Sequence, residues 1–344
     1  RSSLYVQLAE INLFFILIGS IGFDLLIGDP NYLIHPVQII GIYIKKSTNF
    51  FINHFEENNK ILFWAGLFIA LSTIGISFSL GKFIEINYFQ SRNNILSGIL
   101  MFLGLSSCVA SKGLISSVKE ITSLIDIYES NKLSEKILKD KVQRIVSRDV
   151  STSSKDHLLR SSTESLTENS VDGIFGPLFW IFIGTILIKF SILFPGPLSL
   201  GFSYKAISTL DSMIGYKYDY FKYIGFFSAK IEDNFTFIPS RLVLITLPLV
   251  SPRVENYISI IKKSYKDGRE YDSPNSGISE AIFAYTSGVK LGGESKYHNK
   301  IIKKPIINPN GDNCSREKIN LICELILRLQ LLWLLFFALI YFIS

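Results

Sequence analysis

Apolar stretches of membrane-spanning length are the feature that most constrains what this chain can fold into. Residues 61–80 form 20 consecutive residues without a charge, and about 20 apolar residues in a helix cross the hydrocarbon core of a bilayer. Inside that core each backbone N–H and C=O must be satisfied within the protein, which favours helices. Hydrophobic residues make up 48% of the chain. The sequence therefore predicts an all-α fold, a polytopic membrane helical bundle.

Further apolar stretches predict about five to six spans, in a single membrane-embedded domain covering residues 1–344. The predicted spans are 11–28, 61–80, 95–118, 174–194, 237–250 and 326–343. The first lacks the basic start and small-residue cleavage site of a signal peptide, so a spanning helix is the better interpretation. The fifth is short, and Pro239, Arg241 and Pro248 interrupt it.

The distribution of Lys and Arg predicts how these spans are oriented. The connections 29–60, 119–170 and 251–325 contain 3, 9 and 12 such residues, whereas 81–94 and 195–235 contain 2 and 4. Because cytoplasmic loops are enriched in Lys and Arg, we expect the first three connections on the cytoplasmic face of the cell membrane. The net charge is +6, but the Lys and Arg residues are scattered among acidic residues and form no basic stripe. Nucleic acid is therefore not an expected partner.

Two of these connections carry patterns of their own. Between Lys119 and Arg160, apolar residues recur at helical spacing, which predicts amphipathic helices resting on the bundle. Residues 267–313 are rich in Gly, Asn, Pro and Lys and are predicted to be irregular. A segment of that length without secondary structure is often functional.

The first cluster of chemistry-bearing residues is DLLIGDPNYLIHP at 24–36. Carboxylates of Asp24 and Asp29 at the end of a span can hold a hydrated Mg²⁺ ion. Alternatively, the Asp-Pro and His-Pro pairs only end one helix and begin the next. The sequence leaves both interpretations open.

The second cluster is ESLTENSVDGIFGPLFW at 164–180. Glu164, Glu168 and Asp172 are four residues apart, so a helix would place them in one stripe. Like charges at this spacing destabilise a helix by roughly 0.2–0.5 kcal/mol per pair, which favours a cationic partner, either a metal or Arg/Lys. The alternative is a solvated acidic face, which fits poorly with the predicted entry into the bilayer near Phe175.

The third cluster is SPNSGISEAIFAYTSGVKLGG at 273–293. Its first residues predict a helix start, with Glu280 in the early turns and Lys290 before a Gly-Gly pair at a flexible basic exit. Such a pair beside a lysine can approach phosphate oxygens through backbone N–H groups and an ammonium. The same pair is also an ordinary helix end, and no Walker motif is present.

Two cations fall within or at the ends of predicted spans. Arg241 and Lys112 are costly in lipid, so each should face a cavity, a carboxylate or an interface. Asp233 is one candidate partner for Arg241, and Lys112 can snorkel to the headgroups. The three cysteines form no disulfide or zinc pattern, and the isolated histidines, among them His157, are interpreted as surface residues.

Six blocks of this sequence together resemble the adenosylcobinamide-phosphate synthase family, often called CobD or CbiB, of cobalamin biosynthesis. The blocks are DLLIGDPNYLIHPV at 24–37, RDVS at 148–151, ESLTENSVDGIFGPLFW at 164–180, TLDSMIGYK at 209–217, IPSRL at 238–242 and SPNSGISEAIFAYTSGVKLGG at 273–293. They follow the family's order over most of the chain, and the family consists of multi-spanning membrane proteins.

The resemblance implies a carbon–nitrogen ligase. It would join a propionate of adenosylcobyric acid to (R)-1-amino-2-propanol or its phosphate, giving adenosylcobinamide or its phosphate. It implies ATP as co-substrate with Mg²⁺, a corrinoid substrate and a lipid bilayer as surroundings, and it is compatible with a homo-oligomer.

The resemblance also implies roles for individual residues. The catalytic residues would be Glu164, Glu168 and Asp172. The metal ligands would be Asp29, Glu164, Glu168 and Asp172. The substrate-binding residues would be Arg148, Asn169, Arg241, Asn275, Glu280 and Lys290.

Three positions depart from the family pattern. Tyr218 stands where Asn is common, Lys230 where Arg is common and Asn299 where Gly is common. Lys keeps the charge of Arg but loses its bidentate fork. These departures concern the substrate contacts more than the family.

Other classes of membrane protein are alternatives to this interpretation. A non-catalytic AmpE-like signalling protein would not be expected to keep the acidic stripe and the SPNSG block. A transporter would be expected to show repeats and charges on several spans. A membrane prenyltransferase would need two DxxxD motifs, which this sequence lacks.

Overall fold

Helices dominate the structure, as the apolar composition predicts. The computed structural model describes residues 2–28, 36–90, 95–129, 135–146, 148–151, 153–216, 218–252, 256–297 and 300–343. The helices are α1 (Ser2–Leu26), α2 (Pro36–Phe55), α3 (Asn59–Gln90), α4 (Ile95–Ser106), α5 (Ser111–Glu129), α6 (Glu135–Gln143), α7 (Lys155–Ser170), α8 (Gly176–Ile188), α9 (Pro197–Ile214), α10 (Phe221–Ile224), α11 (Phe226–Thr246), α12 (Tyr257–Gly268), α13 (Ser276–Ser287) and α14 (Arg316–Ile343).

Four shorter elements complete the described secondary structure. Strands β1 (Leu291–Tyr297) and β2 (Lys300–Ile307) pair antiparallel. A π-helical turn at Val171–Phe175 joins α7 to α8, and a 3₁₀ turn at Leu247–Val250 follows α11.

Four helical stretches are long and apolar enough to cross a membrane. They are Asn59–Gln90, Ile95–Ile125, Lys155–Ile188 and Arg316–Ile343, with a shorter apolar helix at Ile11–Leu26. The prediction of an all-α polytopic bundle is thereby confirmed. The predicted fifth span, 237–250, is not among them. It covers the end of α11 and the 3₁₀ turn, and α11 carries four charged side chains in its 21 residues.

The chain clusters into two compact units, and the first comprises Arg1–Lys112 and Asp172–Thr236. Its core contains apolar side chains of four helices, namely Ile44, Leu62, Ile69, Ala70, Leu210, Ile214 and Ile224. Gly66 lets two of these helices approach, since a Cβ at this position would lie 2.1 Å from the carbonyl oxygen of Ile224. Close packing at small residues is typical of helices in membranes. The single-domain organisation stays a prediction.

A buried carboxylate ties two elements of this unit together. Glu85 on α3 accepts hydrogen bonds from the backbone N–H groups of Leu198 and Ser199 at 2.8 Å each, and from Gly196 N–H at 3.2 Å. These N–H groups belong to the first turn of α9, which has no intrahelical acceptors for them. Glu85 therefore caps α9 from another helix.

The second unit comprises Gly113–Val171 and Phe237–Ser344. Helix α13 lies in its interior, with Ile278, Ala281 and Phe283 almost inaccessible to solvent. Gly288 ends this helix in the left-handed conformation, at φ 73°.

The prediction that 267–313 is irregular is wrong, because this segment contains α13 and the β-hairpin. The SPNS start begins a helix as predicted, but the exit after Lys290 leads directly into β1. Isoleucines in β2 favour extended backbone, a local signal that the Gly, Asn, Pro and Lys content of the segment does not reveal.

The amphipathic helical prediction for 119–160 holds. The segment forms the end of α5, the whole of α6 and the start of α7. Ile121 and Ile125 on α5 and Leu138 and Val142 on α6 are buried, as helical spacing of apolar residues requires.

Candidate functional site

Helix α7 carries the acidic motif into the interior of the second unit. The helix begins after Ser154, whose Oγ accepts a hydrogen bond from the His157 N–H at 3.4 Å. Most side chains further along α7 are buried, and Glu164 is only 1% exposed. A carboxylate removed from water in this way needs charged or N–H partners to remain ionised.

Glu164 finds its partners in three segments of the unit. Its Oε2 accepts from Arg148 Nη1, and its Oε1 accepts from the Gly292 N–H at 2.8 Å. Arg160 Nε lies 3.7 Å from Oε1. Arg148 also donates to Ser295 Oγ on β1 at 3.0 Å. Of the two cation types that the stripe predicted, arginine is the one that faces Glu164.

A cavity of about 430 Å³ is lined by the α7 residues next to this ion cluster and by the start of the β-hairpin. Its cationic and imidazole side chains are His157, Arg160 and Lys290, and both Gly292 and Gly293 line it. We call this space the basic cavity. Its lining suits a phosphate or carboxylate group.

The two glycines of the basic cavity are required by the backbone. Gly292 and Gly293 have φ values of 83° and 92°, which side chains other than glycine rarely adopt. A Cβ on Gly292 would also lie 2.0 Å from the Pro305 carbonyl oxygen, and one on Gly293 would lie 3.0 Å from Arg160 Nη1. Gly292 therefore lets β1 approach the backbone of β2, and Gly293 leaves room for the Arg160 guanidinium.

Hydrogen bonds to the hairpin position the basic side chains. Arg160 Nη2 donates to the Glu294 carbonyl oxygen, and His157 Nε2 lies 3.2 Å from the same oxygen. The Lys290 N–H donates to the Asp312 carbonyl at 2.8 Å, which fixes its backbone. Within the described ranges the Lys290 ammonium has no ion-pair partner, so it is available to an anion.

A second buried glutamate lies on α13. Glu280 is fully buried, with Lys304 Nζ 3.5 Å from its Oε1 and the Tyr271 hydroxyl 3.4 Å from its Oε2. Burial raises the pKa of Glu280 to about 8, Lys304 opposes the shift, and the charge of Glu164 adds to it. Burial also raises the pKa of Tyr271, so its hydroxyl stays protonated and can donate.

Arg241 and Asn275, both predicted to bind substrate, contact each other. Arg241 Nη1 donates to Asn275 Oδ1, and its Nη2 donates to the Pro274 carbonyl at 2.8 Å. Asp233, the partner considered from the sequence, lies 3.9 Å from Lys230. The guanidinium thus holds the SPN turn at the start of α13.

The remaining polar residues of the acidic motif lie in more open surroundings. Glu168 is half-buried and Asn169 exposed, with Asn169 Nδ2 donating to Ser165 Oγ at 2.9 Å. The π-helical turn begins at Val171, so the regular spacing of four residues ends before Asp172. Asp172 belongs to the first unit.

The described residues offer a limited set of metal ligands. Among them, no group of three or more His, Cys, Asp or Glu residues is placed to hold a metal ion. Glu164 does not fit as a ligand, because arginine and a backbone N–H already occupy its two oxygens. Mg²⁺ carried by a nucleotide takes only one or two protein carboxylates, and Glu168 suits such a contact. Asp29 lies outside the described residues.

The structure therefore brings some predicted residues together and keeps others apart. Arg148 and Glu164 lie close enough to Glu280 for their charges to affect its pKa. Lys290 lines the basic cavity. Arg241 and Asn275 form a separate pair.

Several residues of the site were missed in the sequence. They are His157, Arg160, Tyr271, Ser295 and Lys304. The spacing of Arg160, four residues before Glu164, was the available signal. His157, interpreted as a surface residue, lies in the first turn of α7 and lines the basic cavity.

Comparisons with known proteins give a consistent result. The family model of the CobD/Cbib protein matches residues 17–326. The cobalamin biosynthesis protein CobD of Synechocystis sp. is 34% identical over 294 residues, which are 85% of this chain and 81% of the relative. The CobD protein of Clostridium perfringens is 34% identical over 85% of this chain and 86% of its own length. That of Clostridium acetobutylicum is 32% identical over 92% and 95%. No solved structure matches the chain.

Proposed function

The chain belongs to the CobD/CbiB family of cobalamin biosynthesis proteins, and on this premise we propose that it is an ATP-dependent carbon–nitrogen ligase. It would join a propionate carboxylate of adenosylcobyric acid to the amine of (R)-1-amino-2-propanol or of its phosphate. The product is adenosylcobinamide or adenosylcobinamide phosphate.

The chemistry requires an activated carboxylate, since forming an amide from a carboxylate and an amine is uphill in water. In the first step a propionate oxygen bonds to the γ-phosphorus of ATP while the bond to ADP breaks. In the second step the amine nitrogen bonds to the acyl carbon, phosphate leaves, and the nitrogen loses a proton. ATP, ADP, the propionate, the acyl phosphate and the released phosphate all carry phosphate or carboxylate charge.

The hydrogen bond from the Gly292 N–H to Glu164 is the observation that supports the proposal most strongly. It joins two sequence blocks of the family resemblance that are separated by 128 residues. Through it the Gly-Gly pair and Lys290 lie in the same unit as Arg160 and Arg148. The 164–180 block thereby holds, through Glu164, the backbone of the 273–293 block, whose last residues line the basic cavity together with the start of α7.

The residues of the basic cavity supply positive charge for the anionic substrates. Lys290 and Arg160 would contact a phosphate group, and charge-assisted hydrogen bonds of this kind are the strong ones. Such donors are fixed before the reaction, so they would stabilise charge that develops on the transferred phosphoryl group without reorganising.

The two glutamates of α7, Glu164 and Glu168, would have different roles. Glu164 would hold Arg148 and the Gly292 backbone in place, acting as a positioning residue. Glu168 would contact Mg²⁺ bound to ATP, which neutralises phosphate charge. Asn169 and Asp172, the latter in the turn after α7, remain proposed site residues, and no substrate atom is assigned to either.

Product analysis tests the proposed ligase. The purified full chain in detergent is given adenosylcobyric acid, ATP and Mg²⁺, with aminopropanol in one reaction and its phosphate in another. We expect mass spectrometry to detect the amide in an amount equimolar with ADP. The amine that reacts faster is the preferred substrate. A folded protein that forms no amide with either amine would overturn the proposal and favour a non-catalytic relative.

A further inference from the structure

Helix α12 in the second unit has an outer face that the proposed reaction does not use. Ile260, Ser264 and Gly268 on its inner side are buried. Ile258 and Tyr265, seven residues apart and so on one side of the helix, are 61% and 48% exposed. An exposed isoleucine and tyrosine on one helix face are suited to an apolar or interfacial environment.

The same outer side carries a concentration of positive charge. Its exposed cations are Lys262, Lys263, Lys266 and Arg269. The one acid of the helix, Asp267, does not offset them at the surface, because its Oδ2 accepts from the Tyr285 hydroxyl at 2.7 Å and from the Asn308 N–H at 3.1 Å. The outer face of α12 therefore combines apolar contact area with the exposed Lys262, Lys263 and Lys266, which the acid of this helix does not offset.

Contacts within the unit show the depth of this face relative to the candidate span α14. Trp333 Nε1 donates to Thr246 Oγ1 at 3.0 Å, and Arg328 Nη1 donates to the Val250 carbonyl at 3.4 Å. Arg328 is the last charged residue of α14, and apolar residues follow it. The turn between Thr246 and Val250 thus lies at the level where α14 passes from polar to apolar surroundings.

Helix α12 begins beside this turn. The Tyr257 hydroxyl donates to the Ile245 carbonyl at 2.8 Å. Tryptophan, tyrosine and arginine at such a level are typical of the membrane–water interface. An open cavity of about 590 Å³ lies here, lined by Asn256, Tyr257, Ile258, Ser259, Lys262 and Lys263.

We propose that the outer face of α12 binds the headgroups of anionic phospholipids. Lys262 and Lys263 contact the lipid phosphate in the open cavity, and Ile258 and Tyr265 pack against the upper part of the acyl chains. Lysines near an anionic membrane surface each add about fivefold to binding at low salt. This proposal is independent of the ligase activity.

Native mass spectrometry of the full chain in neutral detergent tests the proposal, with dioleoylphosphatidylglycerol and dioleoylphosphatidylcholine as probes. We expect wild-type protein to retain phosphatidylglycerol in preference to phosphatidylcholine. The double variant Lys262→Gln/Lys263→Gln should bind it at least tenfold more weakly. Because both side chains are exposed, the thermal midpoint without lipid should not change.

A charge-matched control uses two other exposed lysines of the same unit. Lys136→Gln/Lys303→Gln should retain the wild-type preference. Equal retention of the two lipids by wild-type protein would overturn the proposal, as would an equal loss in the control variant. Displacement of the bound lipid by inorganic phosphate would also overturn it, because the face would then be a site for soluble anions.

Discussion

At the scale of single residues, two glutamates of one helix illustrate how position decides role. Glu164 is buried, and both of its oxygens are occupied by donors of the protein. Glu168, one turn later, is half-buried, and its carboxylate has no ion pair or hydrogen bond within the described part of the chain. We therefore assign a structural role to the Glu164 carboxylate. The Glu168 carboxylate is the one that is available for chemistry.

Substitution of these two glutamates by glutamine should separate stability from activity. Glu164→Gln leaves Arg148 buried without a counter-charge, and breaking a buried ion pair costs about 3–5 kcal/mol. The midpoint of thermal unfolding in detergent should fall by several degrees. Glu168→Gln should keep the wild-type midpoint and lose ligase activity by at least tenfold.

Two results would contradict the roles assigned to Glu164 and Glu168. Equal thermal midpoints for Glu164→Gln and Glu168→Gln would show that the Arg148–Glu164 pair does not stabilise the unit. Normal turnover by Glu168→Gln would remove this carboxylate from the proposed Mg²⁺ contact.

The raised pKa of Glu280 predicts a pH dependence of stability. The folded chain holds the proton to about pH 8, whereas an unfolded glutamate releases it near 4.5. The folded state thus binds more protons between these values, so stability is greatest below the lower pKa and falls as pH rises towards the higher one.

Thermal midpoints of wild-type protein and Glu280→Gln, measured from pH 5 to 8, test this expectation. The variant should match wild type near pH 5 and become progressively more stable relative to it, by up to about 1.4 kcal/mol per pH unit. Other groups titrate in both proteins, so the difference isolates Glu280. A constant difference across this range would contradict the assignment.

At the scale of elements, the start of α9 depends on a side chain from α3. Glu85→Ala would leave buried N–H groups of Leu198 and Ser199 without their acceptor. Each hydrogen bond to a charged group contributes about 1.5–3 kcal/mol, so we expect a fall of many degrees in thermal midpoint.

Asn87→Ala on the same helix is the control for this prediction. Its Nδ2 donates to the Phe83 carbonyl of its own helix, and the substitution should change the midpoint little. If both variants melt alike, Glu85 is not the cap that the geometry indicates.

Elements with a local signal were predictable from the sequence, and those formed by distant contacts were not. The SPNS block predicts the start of α13 because capping chemistry is local. The pairing of Glu164 with Gly292 joins residues 128 positions apart, which no periodicity reveals. For the same reason the charge pattern predicted a cation beside the acidic stripe but left its identity open.

At the scale of the whole molecule, the contacts of the second unit constrain the number of membrane crossings. Glu164 and Gly292 are hydrogen-bonded and so lie on one side of the membrane. We expect the apolar part of Lys155–Ile188, which follows Glu164, to cross the membrane once, and this requires a second crossing between residues 189 and 290. Helix α11, with 21 residues, is about 31 Å long and is the element we assign to it.

Labelling with a membrane-impermeant maleimide tests this topology in intact cells. The native cysteines are buried, so exposed single substitutions can be compared over a low background. Lys222→Cys should label in intact cells, whereas Glu57→Cys and Asn310→Cys should label only after permeabilisation. Labelling of Lys222→Cys together with Asn310→Cys would show that α11 does not cross.

The most direct test of the account is ligase turnover by wild-type protein, Lys290→Gln and Lys303→Gln in the same detergent assay. Lys290 lines the basic cavity, whereas Lys303 is an exposed lysine on β2. We predict amide and ADP from wild type and Lys303→Gln at similar rates, and a KM for a phosphate-bearing substrate raised at least tenfold in folded Lys290→Gln. Unchanged kinetics in Lys290→Gln would contradict the claim that this cavity binds the substrates.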